Sequence, residues 1–251
     1  MFIALHGKGG EDGQIQQYLD RKKVPYVGSG PRASYRAYNK IASKKILTKK
    51  NIPTAEYAEL HPAAWQRQMS SIGLPVCVKP VYEGSSIGVF FVEDLKKSAE
   101  KVKRAFRMYG SMMAEKKIDG REFTVGILGR RALPVIELKP KRQFYDYCAK
   151  YTKGMTRYEV PARIPRRLAR KMQKIALRTH AALGLRDLSR VDLMLDRQGR
   201  IFVLEANSIP GFTEFSLLPK AAAAAGIPFG EVCLGLLGRA LKRSMTRKRQ
   251  N

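Results

Sequence analysis

Between residues 189 and 207, apolar side chains occupy every second position on both sides of a short polar break. Val191, Leu193 and Leu195 precede the break; Phe202, Leu204 and Ala206 follow it. A period of two marks β-strands with one buried face. The polar break from Asp196 to Ile201 contains Gly199, which suits the positive φ of a tight turn, so the segment is predicted to be a β-hairpin. With Gln198-Gly199 as a two-residue turn, Asp192 falls directly opposite Glu205 and Arg190 opposite Asn207. All four share the face away from the six apolar residues.

The same reading along the chain predicts short strands at 2–6 and 26–29 and helices at 14–23 and 31–50. Next come strand 54–59, helix 63–72, strands 75–80 and 86–92, and helix 93–109. Strands at 111–118, 122–128 and 132–139 lead into a segment without period, 140–163, expected to be a long functional loop. Leu168, Met172 and Ile175 lie on one stripe of a helix predicted at 164–183. After the hairpin, helices are predicted near 217–225 and 229–245. The class is α+β, with antiparallel sheets arranged in lobes.

With 251 residues, 44% of them hydrophobic, the chain can bury a substantial core. No run of 18 or more apolar residues is available to span a membrane, and the opening MFIALHGKGGEDG lacks the pattern of a signal peptide. The three cysteines, Cys77, Cys148 and Cys233, are too few and too scattered for a disulfide framework or a zinc site, which points to a reducing, cytoplasmic setting. Lys and Arg number 48 against 21 acids, a formal charge of +27. Such an excess attracts phosphorylated ligands or nucleic acid. Only 239–249 is a dense basic run, and no aromatic-plus-basic RNA motif or DNA-reading helix is present.

Two carboxylates directly opposed on a hairpin stand ~4.5–5.5 Å apart at Cβ and repel. Together with an amide oxygen they suit a hard cation such as Mg²⁺, whose remaining ligands are water and nucleotide phosphates. The competing reading is a solvated hairpin whose acids pair with arginines. Lys79 ends the strand LPVCVKP, and the following turn, Glu83-Gly84-Ser85-Ser86, offers backbone N–H groups and hydroxyls to phosphate. It is not a Walker loop. With Lys40 and Lys150 added, an ATP site is the better reading of these pieces.

FIALHGKGGEDGQIQ, VKP…EGSSIGV, EKKIDGREFTV, FYDYCAKY, RVDLMLD, LEAN and PGFTEFSLLP occur in this order. This ordered set resembles the D-alanine–D-alanine ligases of the ATP-grasp superfamily. The resemblance implies a truncated Rossmann-like lobe at 1–37, a central ATP-grasp lobe at 38–118, and a C-terminal lobe at 119–251. ATP would lie between the last two, with Mg²⁺ or Mn²⁺ on Asp192, Glu205 and Asn207. Lys40 and Lys79 match phosphate-binding lysines, and Ser85-Ser86 the loop covering the phosphates. Glu115, Lys116 and Ile118 match the strand lining the adenine pocket, and Glu122 the acid holding ribose hydroxyls. Tyr145, Lys150 and Tyr151 match a loop that closes over the site. Arg190 and the Gly211 N–H match the oxyanion-stabilising pair. Ser216 and Leu217 match the pocket for the second amino acid's carboxylate; His6 and Glu11 fall near the substrates. The activity implied is ATP-dependent ligation of two D-alanines through an acyl phosphate, in a family commonly dimeric.

The sequence departs from the family pattern in places. It begins in the middle of that pattern, without the earlier glycine-rich turn and the glutamate that helps hold the first D-alanine. A sheet edge opened by that loss would invite association. Asn39 stands where aspartate is usual, and Lys117 where an apolar residue is common. The alternatives are a ligase for another amino or hydroxy acid, and an inactive homologue that binds nucleic acid through its charge.

Overall fold

The computed structural model describes residues 1–140 and 156–249. Two antiparallel sheets dominate it. The smaller has the order β1-β4-β2-β3, built from β1 (Tyr57–Leu60), β2 (Val76–Pro80), β3 (Phe90–Val92) and β4 (Met112–Lys116). Every residue of β2 is buried, as befits an interior strand of near-continuous apolar sequence. Helices α4 (Trp65–Ile72) and α5 (Ala99–Tyr109) cover this sheet, burying Trp65, Met69 and Val102 against Val76, Val78 and Val92.

The larger sheet runs β10-β9-β5-β7-β8, with the two-residue β6 (Arg131–Ala132) beside β5. Its strands are β5 (Gly120–Leu128), β7 (Ile136–Pro140), β8 (Thr156–Glu159), β9 (Leu188–Asp196) and β10 (Ile201–Asn207). Helix α6 (Arg166–Leu183) packs Met172, Ile175 and Leu183 onto Phe123, Val125, Val191 and Leu193. Helices α7 (Leu217–Ala224) and α8 (Phe229–Arg249) form a second apolar layer around Leu133, Ile136 and Leu188. Gly120 opens β5 because a Cβ there would lie 2.0 Å from the Leu195 carbonyl oxygen.

Four expectations need correction. Residues 2–6 and 26–29 form no strands; through the backbone Met1 alone joins the two segments, its carbonyl accepting the Val27 N–H at 2.9 Å and its terminal ammonium donating to the Pro25 carbonyl at 2.6 Å. The α/β lobe expected at 1–37 therefore contributes helices α1 (Gln14–Arg21) and α2 (Pro31–Tyr38) but no sheet. The helix predicted over 31–50 is two, α2 and α3 (Lys40–Lys49), broken at Asn39. Asn39 leaves the helical region, and its side chain accepts the Ala42 N–H at 2.9 Å, an N-cap that satisfies one of the first orphan donors of α3. Residues 156–159, placed in a loop by their lack of period, form β8 on the edge of the larger sheet.

The hairpin is the fourth. Asp192 does pair with Glu205, and Arg190 with Asn207. The turn, however, contains three residues rather than two: Asp196 receives a hydrogen bond from Gly199 and donates one to Arg200. Gly199 sits at φ 76°, the position where a three-residue hairpin needs a left-handed residue. The resulting one-residue offset is restored by a bulge between Val203 and Glu205. Consequently Ile201 and Val203, not Phe202 and Leu204, join Val191, Leu193 and Leu195 in the core.

Candidate active site

A cleft of about 930 Å³ lies between the two sheets. The small sheet brings Lys79 and Glu115, α3 brings Lys40, the 83–87 turn brings Glu83 and Ser86, and β9–β10 bring Asp192 and Glu205. Lys116, Ile118 and Glu122 line it where β4 crosses to β5.

The lysine side is an enclosed ion cluster. Glu115 is paired with the Lys79 ammonium and, at 2.7 Å, with Lys44, and all three side chains are at most 9% exposed. Burial alone would raise the Glu115 pKa, but the two ammonium groups outweigh it and hold the carboxyl at about 2. Lys44 also donates to Thr54 Oγ1 at 2.6 Å, and that hydroxyl donates to the Val203 carbonyl at 2.8 Å. Lys40, at the start of α3, donates its Nζ to the Glu83 carbonyl. Burial presses the Lys40 ammonium below the usual lysine range, with Glu205 the main opposing influence. The turn above these lysines holds Ser85 and Ser86 at φ 54° and 60°. Two consecutive non-glycine residues in the left-handed region cost about 1 kcal/mol or more each, and such strain persists where surrounding structure enforces it.

On the carboxylate side, Asp192 is as enclosed as Lys79, and only Glu205 is half-buried. Asp192 accepts Thr124 Oγ1 at 2.5 Å and Asn207 Nδ2 at 3.4 Å. Arg190 grips it bidentately, Nε and Nη2 both at 2.9 Å, so the arginine-paired reading holds for this acid. Glu205 projects from the opposite strand with no ion pair found among the described residues. Its charge is felt by Lys40, Lys79 and Glu11. No cluster of three or more His, Cys, Asp or Glu side chains forms among the described residues. The hard-cation donors here are two carboxylates and one amide.

Other expected residues lie around this centre. Lys116 turns its ammonium to the carbonyls of Gly73 and Leu74, leaving its backbone to the cleft wall. His6 Nδ1 and Glu11 Oε1 are 3.1 Å apart, outside the lining of the main cleft, and burial raises the Glu11 pKa. Ser216 is the N-cap of α7; its Oγ accepts the Thr213 N–H at 3.1 Å, and Gly211 packs against it so closely that an added Cβ would come within 3.1 Å. Leu217 packs with Leu138 and Tyr158. Tyr145, Lys150 and Tyr151 fall outside the described residues.

Sequence reading missed Lys44, Thr124 and Leu204. Lys44 had a legible signal: it follows Lys40 by four residues, so the two share a helix face. Thr124 had none, because it meets Asp192 only through the β5–β9 pairing.

Comparison with known proteins bears directly on this cleft. A family model described as "D-ala D-ala ligase C-terminus" matches residues 46–237. The chain belongs to the D-alanine–D-alanine ligase family. It is 44% identical over 236 residues to a D-alanine--D-alanine ligase of Citrifermentans bemidjiense, covering 94% of this chain and 77% of that ligase. The Acinetobacter baumannii (strain AYE) ligase is 41% identical over 244 residues, 96% of this chain and 79% of its own. Among solved structures, the ATP complex of the Bacillus anthracis ligase superposes with TM-score 0.84 at 30% identity, covering 98% of this chain and 80% of that one. The VanG D-Ala:D-Ser ligase of Enterococcus faecalis gives 0.86 at 29%, covering 95% and 72%. The two sheets flanking the cleft are thus the ATP-grasp architecture of this ligase family.

Proposed function

We propose that the protein joins two D-alanines at the expense of ATP, in the cytoplasm, making the dipeptide for peptidoglycan precursors. The observation that carries this reading is the facing of two lysines, Lys40 and Lys79, against two carboxylates, Asp192 and Glu205, across one cleft. Polyphosphate needs cations on one side and a metal bridge on the other. Two carboxylates and an amide oxygen fit Mg²⁺ or Mn²⁺ as hard donors. Both Asp192 oxygens already accept two hydrogen bonds each, from Thr124, Arg190 and Asn207. Asp192 would exchange one of these contacts for the metal, whereas Glu205 is ready to ligate. When bound, the metal neutralises phosphate charge during transfer.

The chain's own groups then divide the work. Lys40 and Lys79 donate to phosphate oxygens, and the Ser85-Ser86 turn closes over them. The backbone of Glu115–Ile118 receives the adenine and Glu122 the ribose hydroxyls. The first D-alanine, near His6 and Glu11, attacks the γ-phosphorus through its carboxylate, breaking the bond to the β–γ bridging oxygen and giving an acyl phosphate and ADP. The amine of the second, its carboxylate at Ser216 and Leu217, attacks that acyl carbon and expels phosphate. Arg190 and the Gly211 N–H stabilise the oxyanion formed in between. Tyr145, Lys150 and Tyr151 exclude water, which would otherwise hydrolyse the acyl phosphate.

Purified protein with ATP and Mg²⁺ is expected to release phosphate only when D-alanine is added. No D-alanine-dependent release from folded protein would defeat the ligase reading. The likeness to a D-Ala:D-Ser ligase favours one variant, a different second amino acid, and D-serine or D-lactate in the same assay separates the two.

A further inference from the structure

We propose that Lys44 is a positioning residue that keeps Lys79 available to the nucleotide and ties the lysine side of the cleft to β10. The proposal rests on the reading of this cleft as an ATP site. Lys44 is 1% exposed and lies one helical turn beyond Lys40, yet it does not line the cleft. Its ammonium instead joins two groups that do separate jobs. One is Glu115, which it shares with Lys79. The other is Thr54, whose hydroxyl holds the Val203 carbonyl. Val203 is also the point where the Pro53 carbonyl accepts the β10 N–H at 2.8 Å, and where the bulge begins that turns Glu205 toward the cleft.

Charge counting shows why this matters. Burial lowers the Lys44 pKa, but the Glu115 carboxylate at 2.7 Å opposes that fall and holds the proton on it. Two ammonium groups and one carboxylate then leave the enclosed cluster with a surplus positive charge, which phosphate oxygens can use. Without Lys44, Glu115 would hold Lys79 as its sole counter-ion and cancel it. The Thr54 hydroxyl would at the same time lose the ammonium that orients it toward the Val203 carbonyl, loosening the contact that braces the bulge. An ammonium at position 44 therefore serves the nucleotide through its neighbours, with no contact of its own.

The test measures binding of a non-hydrolysable ATP analogue, with Mg²⁺, by calorimetry, alongside steady-state kinetics. Lys44→Met is expected to weaken nucleotide binding ~10–100-fold, the worth of a hydrogen bond to a charged group, while KM for D-alanine stays within about twofold. In Lys44→Met/Glu115→Gln, Lys79 regains its free charge, so binding recovers at least about fivefold over the single variant. A purely structural lysine would show no such recovery. Thr54→Val, which cuts only the hydroxyl link, is expected to cost a few-fold and covers the case in which Lys44→Met does not fold. Unchanged nucleotide affinity in folded Lys44→Met or in Thr54→Val, or a double variant no better than the single, overturns the proposal. Wild-type protein that binds the nucleotide but releases no D-alanine-dependent phosphate defeats the ligase reading alone, and the binding arms still decide on Lys44. Wild-type protein that binds no nucleotide overturns both.

Discussion

The two sheets treat their charges in opposite ways. On the small sheet, Lys44, Lys79 and Glu115 are sealed from water and neutralise one another except for one positive charge. On the large sheet, Asp192 is gripped by Arg190 while Glu205, half-exposed, faces the cleft from the neighbouring strand. Enclosed ammonium groups act at low dielectric, where each is worth more to an anion than in water. A carboxylate near the surface can exchange water for a metal without a large desolvation cost. The difference teaches that the cation side is built in advance and the metal side is left to be completed by its ligand.

The widest gap between the sheets should appear on removing a cation. Lys79→Met deletes the one enclosed charge that both reaches the cleft and shares Glu115, and kcat/KM for ATP is expected to fall on the order of 10³-fold. Phosphate release over an ATP titration reads this directly. A loss below tenfold would mean that Lys79 is only the partner of Glu115.

The carboxylates come next, and they should separate from each other. Asp192→Asn and Glu205→Gln are both expected to lower kcat ~10²-fold and raise the Mg²⁺ concentration needed for half-maximal activity. Only Asp192→Asn removes the carboxylate charge that Arg190 grips bidentately, so it should lower the melting temperature more than Glu205→Gln does. Equal melting temperatures for the two variants would show the Arg190 pair to be energetically idle.

Acid should loosen the two regions in different pH windows. His180, on α6 of the large-sheet layer, donates or accepts one hydrogen bond with Ser189 Oγ at 2.7 Å, and burial lowers its pKa to about 4. A base kept neutral in the fold binds its proton more readily when unfolded, so stability falls as pH drops from about 6.5 toward 4. Glu115 in the small sheet has a depressed carboxyl pKa, about 2. Its contribution is complete above about 4.5 and is lost as pH falls from there toward 2. Each effect is a few kcal/mol at most. Melting curves across pH 7 to 2.5 should therefore flatten in the upper window for His180→Gln and in the lower one for Glu115→Gln. A single shared window would show that His180 and Glu115 do not titrate as differently as their surroundings imply.

How much of this the sequence disclosed depended on how local the cause was. Period-two and period-3.6 patterns marked most of the elements that enclose the cleft, because burial acts on each element separately. Asn39 looked like a helix residue because a cap is a one-residue event inside an otherwise helical run. Residues 2–6 have the composition of a strand, but a strand needs a ladder partner, which period cannot reveal. In the site, motif order gathered Lys40, Lys79, Asp192 and Glu205, whereas Thr124 and the Lys44–Thr54–Val203 link arise from pairings between distant segments.

The bulge at Leu204 produces the smallest effect and the sharpest test of register. A two-residue turn would have placed Leu204 in the core beside Leu193; the three-residue turn and the bulge after Val203 put it instead in the cleft, with Met194 also in the lining. An apolar pair on the large sheet, opposite the backbone of β4, gives a flat base something to rest on. Trimming a half-exposed leucine removes part of the ~1.5–3 kcal/mol that full burial is worth. Leu204→Ala is therefore expected to raise KM for ATP about three- to tenfold, with kcat and the melting temperature nearly unchanged. Had Leu204 been a core residue, the same substitution would open a cavity and cost 2–5 kcal/mol of stability with no selective effect on ATP. Melting and KM measured on that one variant discriminate between the bulged and the unbulged strand.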